Sequence, residues 1–188
     1  MTQLEKARKG TKTKTLKKIA QEENIDEDKC MELVSQGKIV IPYNVFHKSI
    51  IPIGIGKELR TKVNVNIGTS MDLAKEENEL KKVDISLKYN ADTIMDLSTG
   101  GDIQKIRKKI LDKSTMPLGT VPVYQAAINA IEERGSIVDM HEDDLFSVIE
   151  SQAKEGVDFM TVHAGLTTKA IDRLKKQKRI ADIVSRGG

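Results

Sequence analysis

Polar and glycine-rich stretches recur at regular intervals after residue 60, each directly following a short apolar run. They are Asn64 and Asn66 with Gly68, residues 95–101, residues 119–124, His163 with the two residues after it, and residues 185–188. An apolar run followed by such residues is typical of a strand that ends in a loop, and in parallel α/β folds these loops converge on one face. The spacing therefore favours a small-molecule site built from several loops, and the alternative is a set of ordinary turns rich in Gly and Ser.

The cysteine and histidine content limits the metal chemistry of the chain. Cys30 is the single cysteine, which excludes an internal disulfide and a CxxC-type zinc or iron–sulfur site. We expect Cys30 to pack inside the amino-terminal region. His47 and His141 are predicted to lie at the surface, whereas His163 is either a functional residue or a hydrogen-bonded core histidine.

The elements that would position these residues alternate regularly. Strands are predicted at residues 63–68, 93–97, 117–122, 159–163 and 183–185, with an amphipathic helix in each interval. Because each helix supplies a crossover, the pattern predicts a parallel α/β sheet. An open doubly wound sheet and a barrel both fit it. The helix after His141 is expected to turn four apolar side chains inward, those of Leu145, Val148, Ile149 and Ala153.

The first 60 residues follow a different pattern. Residues 1–37 read as polar and helical, with an apolar stripe around Leu16 and Ile19, a second helix capped by Asp26, and a helix end at Gly37. Residues 38–60 break into short strands and loops. We therefore expect two units, an amino-terminal helical arm with short strands at residues 1–60 and a strand–helix domain at residues 61–188.

Composition narrows the class of protein. Hydrophobic residues are 38% and charged residues 31% of the chain, and no apolar run approaches the roughly 20 residues that cross a bilayer. The first residues are charged and have no apolar signal region, so we expect a cytoplasmic protein and no membrane partner. The basic run from Lys6 to Lys18 is typical of nucleic-acid binding. However, aromatic residues are 3% of the chain and Trp is absent, so we expect a solvated helix face and no nucleic-acid partner.

Five long strings carry a specific resemblance. They are Asn64-Val-Asn-Ile-Gly-Thr-Ser, Ala91-Asp-Thr-Ile-Met-Asp-Leu-Ser-Thr-Gly, Pro117-Leu-Gly-Thr-Val-Pro-Val-Tyr-Gln-Ala, Gly156-Val-Asp-Phe-Met-Thr-Val-His-Ala-Gly and Ile183-Val-Ser-Arg-Gly-Gly. In this order they resemble the strand-end motifs of the phosphomethylpyrimidine synthase (ThiC) family. The segment Ile41-Pro-Tyr-Asn before them resembles that family's Ile-Pro-Ala-Asn segment.

The resemblance implies a fold and an activity. It favours the barrel, with about five parallel strands as part of a (β/α)8 TIM-type barrel. It implies an enzyme of thiamine biosynthesis, a radical S-adenosylmethionine carbon–carbon lyase that converts aminoimidazole ribonucleotide to hydroxymethylpyrimidine phosphate. By match to the family motifs, the substrate contacts would be Asn66, Met95, Tyr124, His163, Ser185, Arg186 and Gly187.

The resemblance also implies cofactors whose ligands are absent from this chain. Full-length members hold a [4Fe–4S] cluster and zinc, use S-adenosylmethionine, and form homodimers. Their metal ligands lie in later segments, namely two histidines and a Cys-x2-Cys-x4-Cys motif, which do not occur in the 188 residues. We therefore assign no metal ligand here, expect the isolated chain to be inactive, and expect the reading frame to continue into those segments.

Two alternatives remain open at this point. The paralogous 5-hydroxybenzimidazole synthase of cobamide biosynthesis resembles the same motifs and uses the same substrate. A catalytically dead nucleotide-binding fragment would also account for the missing cluster motif.

Overall fold

In a computed structural model, residues 1–177 and 180–181 are described, and they form a mixed α/β fold. The described residues contain eight α-helices: α1 Gln3–Arg8, α2 Lys14–Glu22, α3 Glu27–Ser35, α4 Glu76–Lys88, α5 Ile103–Lys113, α6 Pro122–Arg134, α7 Glu142–Glu155 and α8 Thr168–Gln177. They also contain six short strands: β1 Ile39–Val40, β2 Ile55–Gly56, β3 Asn64–Ile67, β4 Thr93–Asp96, β5 Leu118–Thr120 and β6 Phe159–Met160. None of the described helices is long and apolar enough to cross a membrane.

The main sheet is parallel and has four strands in the order β3-β4-β5-β6. Each strand lies beside the next one in the chain, with one α-helix between the first two pairs and two between β5 and β6, as the alternating pattern predicts. The predicted fifth strand, residues 183–185, lies outside the described residues. Strands β1 and β2 form a separate antiparallel pair.

Helices pack on one face of the sheet, and the other face carries exposed polar side chains. In β3, Val65 and Ile67 face the helices, whereas Asn64 and Asn66 are exposed on the opposite face. Helices α4 and α5 pack on the first face. The core formed there consists of Ile67, Val83, Ile94, Ile106, Ile110, Leu111, Met116 and Leu118. Burial of these aliphatic side chains is the main stabilisation of this layer.

The amino-terminal region has three helices where the sequence pattern indicates two. Gly10 adopts a φ of 71°, which ends the first helix, and Thr13 caps the next one by accepting a hydrogen bond from the Leu16 N–H. Asp26 caps α3 by accepting from the N–H groups of residues 28 and 29. This region has its own core, formed by Ala7, Leu16, Ile19, Ala20, Cys30, Leu33, Val34 and Ile39. The boundary at residue 60 stays a prediction.

Candidate functional site

The exposed face of β3 presents two amides in line. The Asn64 Nδ2 donates to the Asn66 Oδ1 at 2.8 Å, and the Thr93 hydroxyl of the next strand donates to the Asn64 Oδ1 at 2.8 Å. Asn64 is thereby used to orient Asn66. The Asn66 Nδ2 has no hydrogen-bond partner within the described part of the chain, so its two N–H groups are available to a ligand.

The register of the parallel strands extends this row across the sheet. Asn66 pairs with Met95 of β4, Met95 with Gly119 of β5, and Gly119 with Phe159 of β6. Paired residues of neighbouring strands share a face, so these four positions lie on the face that carries the amides. The half-buried Met95 side chain therefore projects from the same face of the sheet as the Asn66 amide, on the neighbouring strand.

The turn after β3 is fixed by a buried carboxylate. The Gly68 N–H donates to the Glu79 Oε2 at 2.8 Å, and Lys82 pairs with the other oxygen of Glu79 at 2.6 Å. Gly68 has a φ of 144°, and a Cβ there would lie 2.6 Å from the backbone of Leu97 and Ser98. Glycine is therefore required for the turn to pass this close to the end of β4.

The loop after β4 is closed by its own polar groups. Ser98 donates its N–H to the Asp96 Oδ1 at 3.0 Å, and the Ser98 hydroxyl in turn accepts from the Thr69 N–H at 3.1 Å. Burial raises the pKa of the Asp96 carboxyl, against the opposing effect of the Ser98 hydrogen bonds. These bonds join the ends of β3 and β4 into one rim.

A cavity of about 470 Å³ opens at this rim. It is lined by Asn66, Ile67, Gly68, Thr69, Ser70, Lys82, Leu97, Thr99 and Tyr124. Tyr124 lies in the first turn of α6, which starts at Pro122, two residues after the end of β5, and a proline suits the first helical position. The cavity thus brings together Asn66 and Tyr124, two of the residues singled out in the sequence.

The structure places the other predicted site residues differently. His163 is exposed and follows β6 by three residues, because β6 ends at Met160 and not at residue 163 as predicted. Ser185, Arg186 and Gly187 lie outside the described residues. The predicted convergence of all of these residues on one cavity therefore stays a prediction.

A buried polar network below the rim was missed by the sequence analysis. Arg107 of α5 bonds to Glu155 and Gln125, and Gln152 of α7 bonds to Gln125 and to Thr120 at the end of β5. A polar residue within a helix normally indicates a solvent-exposed position. The local sequence therefore does not indicate these buried contacts. The regular spacing of Arg107 with the buried Ile103, Ile106 and Ile110 is the one feature that could have indicated burial.

The prediction that His47 lies at the surface is wrong. Its side chain is 1% exposed, with Nδ1 2.6 Å from the Asp158 Oδ2 and Nε2 3.0 Å from the Ser114 carbonyl oxygen. Both ring nitrogens face acceptors, which favours the protonated imidazolium. Burial lowers the pKa of His47, but the Asp158 carboxylate and the carbonyl oxygens raise it more, so the net shift is upward.

A second cavity, about 520 Å³, lies beside this histidine. It is bounded by residues 46–49, α5 and the end of α7, and its lining includes Phe46, Lys108 and Glu155. It contains none of the strand-end residues. We place the candidate site at the smaller cavity, because the Asn66 amide and Tyr124 converge there.

The described residues do not fit a metal centre. They include no group of three or more His, Cys, Asp or Glu side chains that could hold an ion. Cys30 is 0% exposed in the amino-terminal core, and burial raises the pKa of its thiol. A protonated, enclosed thiol is a poor ligand for iron.

Comparison with known proteins places the chain in a family. The profile of the radical SAM ThiC family matches residues 2–188. Curated proteins named phosphomethylpyrimidine synthase are similar over the whole chain, with 54% identity in Thermoanaerobacter sp. (strain X514), 52% in Caldanaerobacter subterraneus subsp. tengcongensis and 50% in Methanocaldococcus jannaschii. The chain spans 44% of the length of each of these relatives. On this match, the chain belongs to the radical SAM ThiC family.

Proposed function

We propose that this chain is the substrate-binding part of a phosphomethylpyrimidine synthase, which converts aminoimidazole ribonucleotide to hydroxymethylpyrimidine phosphate in thiamine biosynthesis. The observation that carries the proposal is the cavity at the end of β3, which brings together the Asn66 amide and Tyr124, with Met95 paired to Asn66 on the amide-bearing face of the sheet. The relatives' names supply the activity, since all three carry the name phosphomethylpyrimidine synthase.

We also propose that the sheet is one wall of a (β/α)8 barrel. Two features support this. Successive strands add to the same edge of the sheet, whereas a doubly wound sheet reverses direction. The helices α4 and α5 cover one face of the sheet, and the amide-bearing face is the one a barrel would enclose.

The proposed substrate contacts suit the groups of a nucleotide. The Asn66 amide can donate to and accept from the imidazole edge, and the Tyr124 phenol and the His163 imidazole can bond to ribose hydroxyls. Met95 provides an apolar contact beside Asn66. Ser185, Arg186 and Gly187 would bind the phosphate through a cation and backbone N–H groups.

The proposed reaction needs groups that this chain does not hold. By the family resemblance, a [4Fe–4S] cluster and S-adenosylmethionine would supply radical chemistry to the full-length enzyme, and zinc would be a further metal. With one buried cysteine and no candidate metal group among the described residues, neither the cluster nor zinc fits here. We therefore propose that the 188-residue chain alone binds substrate but is inactive, and that the full-length enzyme is a cytoplasmic homodimer with lyase activity.

Calorimetric titration of aminoimidazole ribonucleotide into a full-length version of the protein tests the site. Asn66→Ala and His163→Ala should each weaken binding about tenfold or more, because each removes hydrogen bonds made to the ligand. Both residues are exposed. Each substitution should therefore leave the free energy of unfolding within about 1 kcal/mol of the wild-type value.

Asn64→Ala is the matched control, since Asn64 has the same side chain, strand and face. Asn64 is bonded on both sides, to Asn66 and Thr93. Its loss should cost more stability than Asn66→Ala and less binding. Equal binding losses for the two asparagines, or unchanged binding for Asn66→Ala, would contradict the site.

A further inference from the structure

Arg107 is an arginine enclosed within the fold. Its side chain is 1% exposed, its Nε donates to the Glu155 Oε2 at 2.7 Å, and its Nη1 donates to the Gln125 Oε1 at 3.0 Å. The Nη2 is buried and has no hydrogen-bond partner in the part of the chain that the structure describes. An unsatisfied N–H on a charged group is costly, so a structure seldom retains one without a ligand.

The partners of Arg107 continue to the candidate site. The Gln125 Oε1 also accepts from the Gln152 Nε2 at 2.9 Å, and the Gln152 Oε1 accepts from the Thr120 hydroxyl at 2.6 Å. Thr120 is the last residue of β5, and Gln125 directly follows Tyr124. One side chain of α5 thus connects α6, α7 and the end of β5.

A cavity of about 10 Å³ lies inside this network. It is lined by Asp96, Ser98, Ile103, Arg107, Thr120, Val121, Tyr124, Gln125 and Gln152. This volume is close to the least that one water molecule needs, and the lining offers more than the two polar partners that a buried water requires. Asp96 is buried there and lies near enough to Arg107 for their charges to interact.

We propose that Arg107 is the positioning residue of the candidate site, and that its Nη2 holds one water molecule in this cavity. Arg107 does not touch the substrate. It acts by fixing the first turn of α6, which carries Tyr124, against the ends of β4 and β5. The effect on substrate binding rests on the proposed function, whereas the water and the placement of Tyr124 do not.

Tyrosine NMR can test the placement without a ligand. The chain has three tyrosines, so labelling at Cζ gives three signals, and Tyr124→Phe identifies the one of interest. Arg107→Lys keeps the charge but loses the fork that reaches Gln125 and the cavity. It should shift the Tyr124 signal and leave those of Tyr43 and Tyr89 unchanged. Arg134→Met, which removes an arginine at the partly exposed end of α6, is the control and should shift none of them.

Thr120→Val serves as a second variant, because it removes the last hydroxyl of the network at constant shape. It should shift the same Tyr124 signal even if Arg107→Lys folds poorly. In the wild type, the Arg107 Nη protons should show a nuclear Overhauser effect to water with the sign of a long-lived bound molecule. An unmoved Tyr124 signal in folded variants would overturn the positioning role, and absence of that effect would overturn the water site.

Substrate affinity then links the network to function. In a full-length version, Arg107→Lys should weaken binding of aminoimidazole ribonucleotide about tenfold, as expected when a contact residue is misplaced. Arg134→Met should change it less than about twofold. If the wild type itself fails to bind the nucleotide, the proposed function fails and the NMR result still decides the inference. If the wild type binds and Arg107→Lys binds equally well, the inference is wrong.

Discussion

At the scale of single residues, Cys30 sets what iron chemistry the chain can support. The thiol is enclosed by the amino-terminal core, far in sequence from the candidate site residues, and its pKa is raised by burial. A stable [4Fe–4S] cluster requires several thiolates at one place. This chain offers one.

We therefore expect no cluster when the chain is incubated anaerobically with iron and sulfide. Its absorption spectrum should lack the stable iron–sulfur band, and it should not cleave S-adenosylmethionine. A Cys30→Ser variant is the control and should give the same spectrum as the wild type. Reductive cleavage by the wild-type chain alone would contradict this account.

Local sequence predicts the positions of some single residues and not of others. Alternation along β3 placed Asn64 and Asn66 on one face, because side chains of a strand alternate whatever surrounds it. His47 was misplaced because its acceptors come from residues 158 and 114, more than 60 positions away. A histidine in a loop has no local feature that indicates such distant partners.

At the scale of elements, the turn between β3 and α4 depends on Gly68. A Cβ at this residue would overlap the backbone of Leu97 and Ser98, and its φ of 144° disfavours any other residue. Gly68→Ala should lower the free energy of unfolding by about 2–4 kcal/mol, because backbone must move to admit the methyl group. Urea denaturation measures this directly.

Gly165→Ala is the matched control for that substitution. Apart from its two chain neighbours, no atom of the described residues lies within 4 Å of a Cβ built at Gly165, so the change should cost less than about 0.5 kcal/mol. Comparable losses at both glycines would mean that the close approach of the two strand ends does not limit stability.

The predicted helices and strands match the structure where the spacing of apolar residues is regular, and they differ from it near the ends of the elements. A helix follows each of β3, β4 and β5 as predicted, because apolar side chains at helical spacing indicate that one face of a helix is buried. In α7 the predicted inward Ala153 is exposed and Gln152 is buried instead. The Thr120 hydroxyl satisfies that glutamine, a contact that apolar spacing cannot indicate.

At the scale of the whole molecule, His47 fastens the amino-terminal region to the sheet. Asp158 accepts from His47, from the Asn44 N–H at 2.8 Å and from the Leu118 N–H at 2.8 Å. One carboxylate thus joins the loop that contains Asn44 and His47 to the starts of β5 and β6. Removing either partner of such a buried pair typically costs about 3–5 kcal/mol. The contact is far from the candidate site and serves stability.

Stability should therefore depend on pH through His47. Its folded pKa is raised above the ordinary value of 6.5, so its contribution is fully present below pH 6.5 and is lost as the pH rises through the folded pKa. Urea denaturation across neutral to alkaline pH should show this loss in the wild type. His47→Gln should be less stable at low pH and should lack this part of the pH dependence, whereas His141→Gln, at an exposed histidine, should retain it.

The central claim, that aminoimidazole ribonucleotide binds at the carboxyl ends of the parallel strands, is tested most directly by a crystal structure of a full-length version with the nucleotide bound. We predict ligand atoms within about 3.5 Å of the Asn66 amide and of Tyr124, in hydrogen-bond range. A nucleotide seated in the cavity beside Phe46 and Glu155, or at the amino ends of the strands, would contradict the account.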